Sequence, residues 1–296
     1  MSGDLWDCYL DNGNSCERFE EEKDTSTAVY TFPQEIWFSH DDDDDSSRIL
    51  VYESKQHVFS PTGSYVWEAS LVLCSYIHFN KDVFLCRVCE LGCGTALPSL
   101  YISKLLHPNA SGRRLYLTDC DVEVLSSLCE NLSSHSGISD RVERKEGYRP
   151  SIVVDILDWA QQDDSKVLDD CDLIIGCALV YIKNHAIHLS KLIRKFLASA
   201  TNDSKKSAVI LQIGDRSGWD DLILQLTLLR VSFVCEEVSE DVYYFAKNIT
   251  SHTIKTSEKF QVKQFDFPSE TSTNENISSL ITTNRKDFVL LKCYSL

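Results

Sequence analysis

The sequence predicts an α/β fold: a doubly wound, mostly parallel sheet with an antiparallel hairpin at its C-terminal edge, preceded by an N-terminal extension. Three observations carry this. From Ser60 onward, short apolar runs alternate with segments of helical period. The first of those runs ends in a glycine turn, CELGCGTALP, over residues 89–98. The last strand-like runs follow one another with no helical segment between them.

The elements follow in order. Residues 1–60 form the extension: an acidic stretch to Asp24, expected to be mobile, then VYTFPQEIWF and RILVYES as strands around SHDDDDDSS. The run Asp41–Asp45 repels itself and is expected at a solvated loop tip. Residues 61–296 form the main domain. SYVWEASLVLCSYIHF (64–79) places Val66, Ala69, Leu73, Tyr76 and Ile77 at helical spacing. A strand over 83–90, the glycine turn and a helix over ALPSLYISKLL come next. RLYLTD (114–119) is a strand leading into the helix VEVLSSLCENLSS. The third strand is VERKEGYR or SIVVDIL, followed by DWAQQD. DCDLIIGCALVY (170–181) is a buried strand, and HAIHLSKLIRKFLAS the helix after it. SAVILQIG and GWDDLILQLTLLR repeat that pair, while FVCEEVSE, VKQFDF and DFVLLKCYS supply late strands. The polar segment 246–285 is expected to be a long loop within the terminal hairpin.

Composition narrows the functions. Hydrophobic residues make up 43% of the 296 and charged residues 25%, enough for a sizeable core. A net charge of −16 argues against general nucleic-acid binding, where a basic face must displace counterions. No apolar run is long enough to span a membrane, and the acidic start lacks the pattern of a signal peptide. The twelve cysteines therefore read as reduced thiols in the cytoplasm, with the nucleus also open. Cys86 and Cys89 form a C-x-x-C, but strand alternation sends them to opposite faces and no second pair follows, so buried thiols are expected rather than a metal.

Ligands of such sheets bind at the carboxyl ends of the strands. At the first end, Gly92 and Gly94 permit close approach to backbone, with the Glu90 carboxylate beneath. At the second, Asp119 is placed to accept both hydroxyls of a ribose, or to cap the following helix. At the third, Asp158 precedes Trp159, whose indole could stack on an adenine or simply pack. A G-x-G-x-x-G fingerprint would need glycine where Leu97 stands, and Pro98 removes a backbone donor that a pyrophosphate would want. A carboxylate under the turn suits a cation better than a phosphate. These features favour S-adenosylmethionine, whose sulfonium is positive. The histidines, His185 and His188 among them, form no metal spacing and read as surface or core residues.

VWEASLVLCSYI, VCELGCGTALPSL, LYLTDCD, ILDW and DLIIGCALVY, in that order over roughly residues 60–235, resemble the methyltransferase-like protein-lysine methyltransferases, family 16 of the seven-β-strand enzymes. The resemblance implies a Rossmann-like, seven-stranded sheet, S-adenosylmethionine as cofactor and a protein substrate methylated on lysine, with arginine in some members. It implies that Trp67 lies along the cofactor, although a helix-start packing anchor is the other reading. Gly92, Cys93 and Gly94 would surround its methionine part with backbone, Asp119 would bind the ribose, Trp159 would lie on the adenine, and Cys177 would line the pocket as a small residue. The family's D-x-x-Y at the end of the fourth strand meets GCALVYIKN here: Tyr181 matches, but Ala178 stands at the aspartate position. Tyr181 is then the candidate for orienting the amine, with Asp155, Asp158 or Asp215 as substitutes for the missing carboxylate. The alternative is a weak or inactive S-adenosylmethionine-binding adaptor. A monomer acting on a protein with basic residues near its lysine is the expected form.

Overall fold

A computed structural model describes residues 30–38, 48–55, 62–105, 113–134, 151–161, 166–201, 205–214, 218–253 and 285–295. The Asp41–Asp45 run, the acidic start, Asp215, VERKEGYR and VKQFDF lie outside them. The strands form two sheets, one of seven strands in the order β5-β4-β3-β6-β7-β10-β8 and one of three in the order β2-β1-β9.

The large sheet is the predicted one. β3 (Val88–Leu91), β4 (Arg114–Asp119), β5 (Ser151–Ile156), β6 (Leu173–Cys177) and β7 (Ser207–Ile213) pair in parallel. β10 (Phe288–Tyr294) runs antiparallel between β7 and β8 (Ser232–Glu237). The central strands are covered on both faces, which is why their sequences run apolar instead of alternating: all of β3 and the first four residues of β6 are buried. One core packs α1 (Glu68–Phe79), α2 (Leu97–Leu105), α3 (Val122–Ser134) and α7 (Glu240–Lys247) on one face. The other packs α4 (Lys166–Asp169), α5 (Lys183–Ala198) and α6 (Trp219–Leu228) on the opposite face. At the end of the sheet opposite the glycine turn, Arg87 makes a forked pair with Asp172 (2.7 and 3.0 Å) and also reaches Asp170 at 2.7 Å. It thereby pins the starts of β3 and β6 together.

The small sheet attaches to the α1–α2 face. β1 (Tyr30–Trp37) pairs antiparallel with β2 (Arg48–Lys55), and Ile36, Ile49 and Val51 are buried in the same core as α2. Phe38 packs on Tyr101 with ring centroids 4.3 Å apart, Tyr101 bonds His78 at 2.7 Å, and His78 stacks on Phe245 at 4.4 Å. This aromatic seam joins the end of β1 to α2, α1 and α7.

Three local expectations change. The strand expected over 83–90 begins only at Val88, because Lys81–Phe84 close a 3-10 turn. A helix, α7, stands between the late strands: Ser239 caps it by accepting the Val242 N–H at 3.4 Å. The segment 246–285 opens with the end of α7 and then with β9 (Thr250–Thr253), which adds to β1 with Glu35 opposite His252. TSHT shows no alternation, since its strand geometry comes from the free edge of β1 rather than from its own side chains.

Candidate functional site

The carboxyl ends of β3, β4, β5 and β6 meet on one rim, and the predicted residues gather there. β3 ends in the glycine turn. Gly92 and Gly94 adopt φ of +54° and +51°, which side-chain-bearing residues avoid. What presses on them is the protein's own chain. A Cβ on Gly94 would lie 2.8 Å from the carbonyl oxygen of Gly63, in the 62–64 turn leading to Trp67 and α1. A Cβ on Gly92 would lie 3.0 Å from Leu179 Cδ2 and 3.6 Å from the Trp159 ring. The glycines are thus required by chain packing on the side that their Cβ atoms would occupy.

Asp119 ties the rim together. Its Oδ2 accepts the Gly94 N–H and its Oδ1 the Asp121 N–H, each at 3.1 Å, while its carbonyl accepts from Leu157 at 2.9 Å. Helix α3 is capped instead by Asp121, whose Oδ1 takes the N–H groups of Glu123 (2.8 Å) and Val124 (3.3 Å). Each Asp119 oxygen keeps a lone pair, so acceptance of a ribose hydroxyl is still open to it. Burial raises the Asp119 carboxyl above its ordinary range.

Glu90 sits under the turn, 1% exposed, with Oε2 accepting the Ser99 N–H of α2 at 3.1 Å. Burial pushes its carboxyl up to about 8, from an ordinary 4.5. The folded state therefore holds the proton more tightly than the unfolded chain. The stability this contributes is complete below pH 4.5 and is lost as the pH rises through about 8. Glu90→Gln keeps an acceptor for Ser99 and is expected to flatten that decline in a series of melting temperatures from pH 5 to 9; parallel curves for the two proteins would show that Glu90 is ionised throughout.

The remaining residues close the rim. Trp159 is half-buried after the Asp158 turn, whose carboxylate accepts from Ala160 (2.8 Å) and Gln161 (3.1 Å). Cys177 ends β6 half-buried, its thiol held far above the ordinary range by burial, so it offers no thiolate. Trp67 keeps 41% of its surface exposed and closes the start of α1, its carbonyl accepting from Ser70 N and Oγ at 2.9 and 2.6 Å. Asp155, at the end of β5, is exposed and accepts the Ile156 N–H at 2.9 Å.

Two contributors were not read from the sequence. Gln212, fully buried in β7, donates to the Val180 carbonyl at 2.8 Å and accepts the Val180 N–H at 3.3 Å, clamping the backbone next to Tyr181. A lone Gln in the apolar run AVILQI was its only signal. His185 stands edge-on to both Tyr181 (centroids 4.5 Å apart) and Trp159 (5.9 Å), joining the β5 and β6 ends. Its four-residue spacing from Tyr181 was visible, but their shared contact with Trp159 is tertiary.

This arrangement discriminates among ligands. The N–H groups of Cys93, Gly94 and Ala96, which a phosphate would need, are engaged by Thr118 O (2.9 Å), Asp119 Oδ2 (3.1 Å) and Cys93 O (2.6 Å). Beneath the turn lie the Asp119 carboxyl and that of Glu90, which its raised pKa keeps mostly protonated at neutral pH. An anionic pyrophosphate meets few free donors there. A nucleoside meets a ribose acceptor and an indole, so the residues fit S-adenosylmethionine.

The chain is similar to several known proteins. Methyltransferase-like protein 22 of Mus musculus is 24% identical over 129 residues, covering 40% of this chain and 31% of that protein's length. Among solved structures, the magnesium protoporphyrin IX methyltransferase of Synechocystis, with bound SAM, superposes with a TM-score of 0.43 at 12% identity, over 77% of this chain and 80% of that one. A TehB-like SAM-dependent methyltransferase of Corynebacterium glutamicum gives 0.41 at 12% identity, over 79% and 90%. The profile described as lysine methyltransferase matches residues 45–221, from shortly before β2 to the first turn of α6. With that match running over more than half of its length, the chain belongs to the lysine methyltransferase family.

Proposed function

We propose that the protein is an S-adenosylmethionine-dependent methyltransferase whose acceptor is a lysine side chain of another protein. The observation that carries the reading is a turn whose own N–H groups are already bonded, with the Asp119 carboxyl at its edge as a ribose acceptor. The lysine acceptor is supported by the family description and by Tyr181 at the rim. When bound, S-adenosylmethionine supplies an electrophilic methyl group on a positive sulfur. Asp119 would hold the ribose and Trp159 would flank the adenine. Trp67 would lie along the cofactor, with Gly92, Cys93, Gly94 and Cys177 lining its pocket. Tyr181 would orient the incoming amine, and such positioning accounts for much of the rate of an in-line displacement.

Ala178 provides the test. It sits at φ +52°, its N–H held by Leu211 O at 2.9 Å. Aspartate tolerates that left-handed conformation better than alanine does. Ala178→Asp is therefore expected to melt no lower than wild type and to raise tritium transfer from labelled S-adenosylmethionine into proteins of a hypomethylated cell extract by about tenfold. Transfer by neither protein, with cofactor binding intact, would remove the catalytic reading. An unchanged rate in Ala178→Asp would show that position 178 does not face the acceptor.

A further inference from the structure

We propose that Gln212 is a positioning residue for the acceptor: its side-chain amide holds segment 178–182 in the arrangement that keeps Tyr181 at the rim. The effect on methyl transfer rests on the lysine reading above; the effect on Tyr181 does not.

The need arises where β6 ends. Its last residue, Cys177, still pairs with β7, opposite Leu211. At Ala178 the backbone turns into the left-handed region, φ +52°, and its N–H makes a last bond to Leu211 O at 2.9 Å. The peptide groups of Val180 then fall outside the β6–β7 ladder. Val180 is fully buried, and an N–H and a carbonyl left without partners there would be costly.

Gln212 supplies both partners. It follows Leu211 in β7, is itself fully buried, and by strand alternation shares the face of Ala208 and Ile210, which pack toward α5 and α6. Its Oε1 accepts the Val180 N–H at 3.3 Å and its Nε2 donates to the Val180 carbonyl at 2.8 Å. Only this orientation of the amide serves both groups, so the partners assign its oxygen and nitrogen. The side chain repeats the two-bond exchange of an antiparallel strand pair. An apolar residue, as at the other buried positions of β7, would leave both Val180 groups orphaned.

The rest of the segment is seated around that pair. Leu179 fills a slot between two glycines: a Cβ on Gly92 would lie 3.0 Å from its Cδ2, and one on Gly176 2.6 Å from its Cδ1. On the other side, a Cβ on Gly218 would lie 2.7 Å from Val180 Cγ1 and 3.1 Å from Ile182 O. Leu179 and Val180 are thus buried anchors, and Ala178 and Tyr181 on either side of them are half-buried. These two are the first and last positions of the D-x-x-Y motif. Packing on glycines limits how near the segment can approach; the paired hydrogen bonds fix its direction.

The full chain labelled with 3-fluorotyrosine supplies the test, the Tyr181 fluorine resonance being identified by its loss in Tyr181→Phe. Wild type is expected to give one sharp line. Gln212→Leu, which has no polar side-chain atom, is expected to split or broaden that line while S-adenosylhomocysteine affinity stays at the wild-type value. A wild-type line in Gln212→Leu overturns the proposal. So does loss of S-adenosylhomocysteine binding in that variant alone, since Gln212 would then support the whole rim; failure of the wild type to bind overturns the cofactor reading instead. Gln212→Glu adds a pH readout. Its protonated carboxyl can donate to the Val180 carbonyl and accept the Val180 N–H as the amide does, whereas the ionised form can only accept. Burial raises the pKa of such a carboxyl, so the line of Gln212→Glu is expected to be sharp in acid and to broaden as the pH rises. A line still broad at about pH 5, where the carboxyl is protonated, would overturn the proposal.

In tritium transfer from labelled S-adenosylmethionine to hypomethylated extract, Gln212→Leu is expected to lose about 10²-fold in kcat, with KM for S-adenosylmethionine unchanged. Phe196→Leu, in the core near the far end of α5, controls for lost stability and is expected to keep the wild-type rate below its melting temperature. An equal fall in both variants would make Gln212 a residue of general stability and overturn its positioning role. Absence of transfer by the wild type removes the lysine reading, and the Tyr181 line then decides the hold on the segment.

Discussion

Gly94→Ala is expected to cost the protein its cofactor binding and a large part of its stability. Two costs combine at that residue. A φ of +51° disfavours any L side chain by about 1–2 kcal/mol. The added Cβ would also stand 2.8 Å from the Gly63 carbonyl oxygen, a backbone atom that moves only if the whole 62–64 turn moves. Relief by flipping the turn would break the Gly94–Asp119 bond, and with it the link between β3 and β4 at the rim. We expect S-adenosylmethionine affinity to fall at least tenfold, about 1.4 kcal/mol, and the melting temperature to drop by several degrees. Calorimetric titration and a thermal melt check both. Wild-type affinity in Gly94→Ala would mean that the turn is not the cofactor's floor.

Asp119→Ala is the second large effect. The substitution leaves the Gly94 and Asp121 N–H groups without their acceptor, at about 1–3 kcal/mol for each group left unpaired. It also removes the proposed ribose acceptor. The thermal stabilisation that S-adenosylmethionine gives the wild type should disappear. Asp119→Asn separates the two contributions, because its one remaining oxygen can still hold Gly94 while the charge is gone. Full stabilisation by the cofactor in Asp119→Ala would take the ribose off this residue and place it elsewhere on the rim.

Much of this site was readable before any coordinates. CELGCGTALP, RLYLTD and ILDW each carry their information locally: a strand end, a residue type that suits the turn, and a carboxylate or indole where ligands of parallel sheets sit. The reasons for the glycines were less readable. The sequence suggested room for a ligand, and the positions of Gly63, Leu179 and Trp159 add that a side chain on either glycine would meet the protein's own chain. Likewise, a cap for α3 was considered at Asp119, and Asp121 provides it, because Asp119 faces back across the sheet toward Gly94.

By itself the sequence determined the alternation of strands and helices, the order of the motifs, the acidic character of the turn and the alanine at position 178. Each of these depends on residues near one another in the chain, through periodicity, turn chemistry or charge. Tertiary structure alone decided the rest. β9 became a strand because β1 offered it an open edge. Gln212 became a clamp because β6 and β7 are neighbours. His185, a scattered histidine on paper, reached the rim because the ends of β5 and β6 bring Trp159 and Tyr181 to either side of it. Contacts between residues far apart in sequence arise when the sheet assembles, and no local pattern encodes them.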